Sequence, residues 1–381
     1  MRISKKVIAL GIASMAIISA CGGSDDGTAT EETTSEAVTE EVTCETVDKV
    51  SVVLQWVTQS QFAGYYAAKD QGFWEDECLD VTIQEGGVNV VPQQVLASGA
   101  TEFAVTHAIK TMAANEEGAG LVNIAQIMER GGYLQVSWAD SGIKSLADLK
   151  GKNVGSWGYG NELILYAGMR LAGVEPEKDA TIVQQPFDMS LLLNREIDAA
   201  QAKIYNEYAQ LLEQVNPETG ELYQPSDFTY VDFNKEGLID LEDGIYARDE
   251  WLQDEANQDI AVRFIKGAIK VWAFCRDSFD ACVDVVLSNG PTLGKSHMQW
   301  QLNEINKMIW PSTNGIGVLD EAAWAASADL GVAGGVLKAL PTGTPYRLDL
   351  AQKAIAALEG SVDMMGESFA PQTVTLNEGG K

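Results

Sequence analysis

The sequence predicts an α/β protein of two lobes around a hinged cleft. Three observations carry this expectation. Short β-branched runs alternate with helical stretches, the pattern that parallel strand pairing requires. The alternation starts afresh after Trp138. From about Asp48 onward the chain is too long for one ordinary domain of roughly 100–200 residues.

In the first lobe, residues 51–54 form an apolar β-branched run that reads as a buried strand. Residues 61–71 follow as a helix with Phe62, Tyr65 and Tyr66 on one side, closed by Gly72. Val81 and Ile83 alternate as the next strand, and Pro92 opens a short helix that Gly99 ends. Residues 103–105 are a third strand, 108–117 a helix, and 121–128 strand-like again. In the second lobe a helical turn at 146–149 leads to strands at 153–155, 181–183, 199–202 and 228–233. Helices over 162–172, 189–194 and 205–215 separate them. Beyond Gly244 helical spacing dominates, as in Ile260, Phe264, Ile265, Ala268, Ile269 and Trp272. Helices so apolar on one face must pack on something, and the first lobe is the available partner. The expected layout is therefore 48–138 and 244–381 for the first lobe, with 139–243 as an inserted second lobe.

The N-terminus reads as a processed leader. Arg2, Lys5 and Lys6 precede an uncharged apolar stretch at 7–18, shorter than the roughly 18 residues a bilayer span needs. Ile18-Ser19-Ala20-Cys21 resembles a bacterial lipobox, so residues 1–20 are expected to be removed and Cys21 lipidated. Residues 21–47 are Gly, Ser, Thr and Glu with few large apolar side chains. Such a stretch cannot bury enough surface to offset its ordering entropy, and is expected to be a disordered acidic tether to the membrane. The net charge of −29 grows more negative once the basic leader leaves. That excludes nucleic acid as a natural partner.

Besides Cys21, the chain carries Cys44, Cys78, Cys275 and Cys282. In an exported protein four thiols can form two bridges. Cys275 and Cys282 are close and flank a turn between helices, which favours them as a pair; Cys44 with Cys78 follows only by subtraction.

In open α/β sheets, ligands gather at the carboxyl ends of strands in the crevice between units. Five such ends supply the candidate binding residues. Gln55 and Trp56 follow the first strand, and Thr106 and His107 follow the third. The turn after 153–155 holds Trp157, Tyr159, Gly160, Asn161 and Glu162. Phe187 and Asp188 follow 181–183, while Tyr205, Asn206 and Glu207 follow 199–202. Aromatic rings with amides and carboxylates between them suit a flat heteroaromatic solute, which stacks on a ring face and pairs its edge atoms. Anionic sulfonates would call for Arg or Lys, and only Lys203 lies near these strand ends. The glycines at 155, 158 and 160 lack the dinucleotide order, but lead into a helix whose N-terminus can hold a polar or anionic group. Only two histidines occur, His107 and His297. No nucleophile–base arrangement or metal spacing can be argued, so no enzyme, cofactor or metal is expected.

These residues, taken in order, resemble the family that unites sulfonate- and thiamine-precursor-binding proteins of ABC importers with the fungal thiamine-pyrimidine synthases. The likeness rests on Leu54-Gln55-Trp56, Gln61-Phe62-Ala63-Gly64-Tyr65-Tyr66, Gly72-Phe73-Trp74, Gly158-Tyr159-Gly160-Asn161-Glu162 and Tyr205-Asn206-Glu207. It implies the type II periplasmic-binding fold and a place for Trp56 against a pyrimidine ring. Two departures count against the synthases. Thr106 and Lys110 stand where those enzymes look to have their catalytic Lys and His, and a Thr forms no Schiff base. The stretch 241–244, which includes Asp243, replaces a Cys cluster and is counted with the ligand-facing set. Residues 124–127 and 134–138 look most like the riboflavin-binding branch. The resemblance therefore implies a lipid-anchored importer component on the outer face of the cell membrane. Its partners would be a permease and an ATPase, and its solute riboflavin or a thiamine-type pyrimidine. A pyrimidine synthase and a sulfonate- or taurine-binding protein are the alternatives.

Overall fold

The computed structural model describes residues 44–381 apart from Val88 and Thr344. The leader, Cys21 and most of the expected tether lie outside the described residues.

Among the described residues, ten strands form two five-stranded sheets. The first sheet holds β1 (Asp48–Val53), β2 (Leu79–Gln84), β3 (Phe103–Thr106), β4 (Leu121–Gln126) and β10 (Gly244–Arg248), ordered β2-β1-β3-β10-β4. The second holds β5 (Tyr133–Trp138), β6 (Asn153–Ser156), β7 (Thr181–Gln184), β8 (Ala199–Lys203) and β9 (Phe228–Asp232), ordered β7-β6-β8-β5-β9. β1 pairs in parallel with β2 and β3, and β6 with β7 and β8. One strand in each sheet runs antiparallel to both neighbours: β10 between β3 and β4, and β5 between β8 and β9. Each is the strand laid down directly after the chain crosses from the other sheet.

Two expectations are corrected here. Tyr133–Trp138 was assigned to the first lobe, yet it pairs in the second sheet. Gly244–Arg248 was counted with the helical region, yet it is a strand of the first sheet. A six-residue buried run carries no mark of which sheet it will join, and a reversed strand breaks the alternation from which lobes are read.

The helices of the N-terminal two thirds are α1 (Ala63–Asp70), α2 (Pro92–Ala97), α3 (Ala108–Glu116), α4 (Glu162–Leu171), α5 (Ser190–Leu193) and α6 (Glu207–Leu212). Five more follow: α7 (Glu255–Asp277), α8 (Phe279–Asn289), α9 (Lys295–Ile309), α10 (Glu321–Ala333) and α11 (Leu348–Leu358). The long α7 anchors the first lobe, because its apolar stripe meets both α1 and the first sheet. Phe264 stacks between Trp74 and Phe103, with ring centroids 4.9 and 4.2 Å away, and its carbonyl accepts the Trp74 indole N–H at 3.1 Å. Disulfides join Cys44 to Cys78 and Cys275 to Cys282. The first ties the end of the expected tether to the body just before β2. Among the described residues, no helix is long and apolar enough to cross a membrane.

The approach of α1 to α7 depends on Gly64, where an added Cβ would lie 2.7 Å from Cδ2 of the fully buried Trp272. Gly64→Ala is expected to destabilise the protein by about 1–3 kcal/mol through overpacking. A urea midpoint equal to wild type would contradict that.

Candidate functional site

The cleft between the sheets is set by the two crossings, and both meet at one buried carboxylate. Glu242 is wholly buried. Its Oε1 accepts the Gly132 N–H of the first crossing at 2.7 Å, and its backbone oxygen accepts Gln126 Nε2 at the end of β4 at 2.6 Å. Its Oε2 lies 2.6 Å from Lys203 Nζ at the end of β8, an ion pair at poor hydrogen-bond angles. The Lys203 ammonium also sits 3.1 Å from the centroid of the Tyr133 ring, in cation–π contact.

A cavity opens above this junction. From the first lobe come Gln55, Trp56, Gln59, Gln61 and His107. Trp56 is held over the cavity by a close backbone approach. Gly86 donates to the Trp56 carbonyl at 3.0 Å, and a Cβ at 86 would collide with the backbone from Leu54 to Trp56. From the second lobe come Trp157 and Asn161 of the turn before α4, and Phe187 beyond β7. Lys203 at the end of β8, with Tyr205, Asn206 and Glu207 beyond it, completes the wall. Trp56 and Phe187 belong to opposite lobes and meet with centroids 4.4 Å apart at 49°.

Beneath the lining lies a compact ionisable layer. His107 stands between Asp240 and Asp243, each 3.7 Å from one ring nitrogen. Burial, then the charges of Lys110 and Lys203, hold its imidazole well below the usual range. Burial pushes the carboxyls of Asp240 and Asp243 up to about 7, with Glu242 adding to the rise. Burial and the neighbouring Lys203 push the Lys110 amine down to about 8. Lys110 donates to Asn161 Oδ1 at 2.7 Å and so links the lobes. Asp243 Oδ2 accepts Gln61 Nε2 at 2.7 Å.

The structure brings together Gln55, Trp56, His107, Trp157, Asn161, Tyr205 and Asn206 on the cavity wall. It places Asp243 below the wall, and Thr106 behind Gln55, to whose Oε1 it donates at 3.0 Å while accepting Gln93 Nε2 at 2.6 Å. Three expectations are corrected. Tyr159 is 55% exposed at a positive φ and faces away. Asp188 is exposed and caps its own turn by accepting the Ser190 N–H at 2.9 Å. Glu162 folds back onto the Gly160 N–H at 2.9 Å and lines a separate depression with Tyr166 and Glu177. Gly160 carries no side chain to the wall; its Cα faces the Lys110 stem. A strand-end rule locates a loop but not the direction of each side chain within it.

Phe187 and Glu207, which the strand-end rule picks out, also line the wall, as does Lys203 at the end of β8. Gln61 sits in a one-turn helix (Ser60–Phe62) before α1 and Gln59 directly ahead of it, a helix start that a rule about strand ends does not reach. His297 is 9% exposed, and its ring nitrogens meet Glu213 Oε1 at 2.8 Å and Asn206 Oδ1 at 2.9 Å, supporting the wall from behind.

Two α/β lobes, two crossings and a lined cavity between them define the two-lobed periplasmic-binding fold. The chain belongs to the NMT1/THI5 like family, whose model matches residues 59–278. It is 22% identical over 345 residues to the riboflavin-binding protein RibY of Chloroflexus aurantiacus, covering 88% of this chain and 94% of that one. It is 25% identical over 248 residues to the formylaminopyrimidine-binding protein of Halalkalibacterium halodurans, covering 64% and 72%. A Haemophilus influenzae protein named for thiamine biosynthesis is 30% identical over 153 residues, 40% of this chain and only about half (49%) of that protein. The aliphatic sulphonate binding protein SsuA of Escherichia coli shares the fold, with a TM-score of 0.57, 16% identity, and 87% and 97% of the two chains covered.

The buried acids make a signed pH prediction. Asp243 has a folded-state value of about 7 against an ordinary one near 4. The native state therefore binds its proton more readily than the unfolded chain. The resulting stabilisation is full below pH about 4 and is lost as pH rises through about 7. Asp243→Asn should remove that loss, since Asn suits the left-handed backbone at this position (φ 46°). The melting temperature of the variant relative to wild type is expected to climb between pH 5 and 8, and parallel profiles would refute the assignment.

Proposed function

We propose that the chain is an extracytoplasmic solute-binding lipoprotein of an ABC importer. It captures a small heteroaromatic vitamin or vitamin precursor, riboflavin or a thiamine-type pyrimidine, and delivers it to a membrane permease powered by an ATPase. The observation that carries this reading is the meeting of Trp56 and Phe187 across the cleft at 4.4 Å. Each lobe contributes one aromatic face at the mouth of a cavity walled by amides. A flat ring entering between them takes over the contact the two side chains make with each other, and closure of the lobes is then coupled to occupancy. RibY and the formylaminopyrimidine-binding protein, both named for flat heteroaromatic solutes, support the ligand class.

A binding role is also favoured over synthase chemistry by Thr106. Its hydroxyl is engaged by Gln93 and Gln55, and it offers no amine. On this reading Cys21 carries the lipid, and the acidic segment after it spans from the membrane surface to the body that Cys44–Cys78 closes.

Two measurements test the proposal. In calorimetric titration the protein should bind riboflavin or hydroxymethylpyrimidine, and Trp56→Ala should weaken that binding by about 30-fold or more, the loss of a central aromatic anchor worth ~2 kcal/mol. Binding of taurine with no response to either heteroaromatic would replace the ligand class. For the anchor, cells expressing the chain should incorporate labelled palmitate into it, and Cys21→Ser should abolish the label. Label retained in that variant would remove the lipoprotein assignment.

A further inference from the structure

The hydrogen-bonding groups of the cavity wall are not evenly spent. Several of its acceptors are engaged by the protein itself. Gln61 Oε1 accepts Gln59 Nε2 at 2.7 Å, and Asn161 Oδ1 accepts Lys110 Nζ at 2.7 Å. Asn206 Oδ1 contacts His297 Nε2 at 2.9 Å and accepts Gln301 Nε2 at 3.3 Å. Both oxygens of Glu207 are taken: Oε1 accepts Asn206 Nδ2 at 2.7 Å, and Oε2 accepts the Lys203 backbone N–H at 2.9 Å.

The donors are different. Trp157 is 4% exposed and lines the cavity, yet its indole Nε1–H has no hydrogen-bond partner among the described residues. Lys203 is 8% exposed and lines the same cavity. Its Nζ touches Glu242 Oε2, but makes no hydrogen bond of acceptable geometry among the described residues. Buried N–H groups are almost always satisfied in folded proteins. An indole N–H without a partner on the cavity wall, beside an ammonium whose three N–H groups have Glu242 alone as a polar neighbour among the described residues, therefore points to a guest that satisfies them.

The sign of the local charge narrows the guest further. The Lys203 ammonium is already matched by Glu242 at 2.6 Å, and Lys110 is turned onto Asn161. Asp240 and Asp243 lie behind His107, and Glu207 stands on the wall itself. A sulfonate or phosphate entering here would meet at least as many carboxyl groups as amines, in surroundings where screening by water is weak.

We propose that Trp157 Nε1 and Lys203 Nζ together set specificity by donating to uncharged acceptors, carbonyl oxygens or ring nitrogens, on the edge of a flat guest. This rests on the solute-binding reading above and names the chemistry that the same cavity selects. Riboflavin, with ring carbonyls beside ring nitrogens, and a formylaminopyrimidine both present such an edge. Taurine presents an anion instead.

The experiment is calorimetric titration of the full chain, wild type and Trp157→Phe, with riboflavin, a formylaminopyrimidine and taurine. Phe keeps an aromatic ring but removes the N–H together with the second ring of the indole. Affinity for whichever heteroaromatic the wild type binds should fall about five- to ten-fold, the loss of one neutral hydrogen bond. Because Trp157 packs in a buried cluster of the second lobe, the smaller side chain is expected to lower the melting temperature, and affinities are compared at a temperature where both proteins are folded. As a second readout, the Trp157 indole N–H resonance in ¹⁵N-labelled wild type, assigned by its disappearance in the variant, should move downfield on ligand addition. Wild-type binding with unchanged affinity in the variant, or an unmoved resonance, overturns this inference and leaves the solute-binding reading intact. A wild type that binds taurine and neither heteroaromatic overturns both.

Discussion

The geometry of the site depends on the buried ion pair between Glu242 and Lys203. Glu242 lies on the second crossing, takes the N–H of Gly132 on the first, and meets Lys203 at the end of β8. One carboxylate thus ties both connections between the lobes to the floor of the cavity. A buried charge that loses its partner costs about 3–5 kcal/mol, so the junction tolerates little rearrangement. Lys203 is held in place over the Tyr133 ring by the same contact, and this fixes where its amine reaches the wall. Asn234 reinforces the junction by bridging to Gly131, donating to its carbonyl at 2.5 Å and accepting its N–H at 3.2 Å.

Around that junction the ionisable groups offset one another. Three acids, two lysines and a histidine are packed at the cleft, and of these His107 and Lys203 reach the wall beside Glu207 and the aromatic and amide side chains. Desolvation drives each of Asp240, Asp243, His107 and Lys110 toward its neutral form; at His107 the charges of Lys110 and Lys203 add to the shift, and at the others opposite charges counter it in part. The cavity floor is therefore polar without carrying a strong net field of either sign. Such a floor can orient a neutral guest through directed hydrogen bonds, while stacking across the cleft supplies most of the contact area. The outer shell supports this arrangement, since Asn206 is braced by His297 and Gln301 of α9, and Trp300 of the same helix donates to the Ile204 carbonyl at 3.0 Å.

Much of the site was legible because strand ends are legible. Each short apolar run closes at a residue that must emerge at one edge of its sheet. Gln55, Trp56, His107, Trp157, Asn161, Tyr205 and Asn206 were found on that basis and line one cavity. The same logic overreached at Tyr159, Asp188 and Glu162, whose side chains leave the loop in other directions. Asp188 and Glu162 are recruited by backbone N–H groups of their own turns, a local competition that a strand-end rule ignores. Lys203 was undervalued because a lysine beside a strand end is ordinarily solvated. Its burial follows from Glu242, 39 positions away in the chain, and no local pattern links the two.

What the sequence determined by itself was the α/β class, the two-lobed arrangement and the addresses of the loops that face the cleft. Those properties follow from hydrophobic periodicity and from where it stops, both of which are local. The tertiary structure alone decided which sheet received the reversed strands β5 and β10. It also decided which donors and acceptors on the wall are already spent, and that two lysines sit buried among acids. Those are outcomes of long-range pairing, in which a buried polar group takes its place from a partner distant in the chain. A one-dimensional pattern carries no record of that choice.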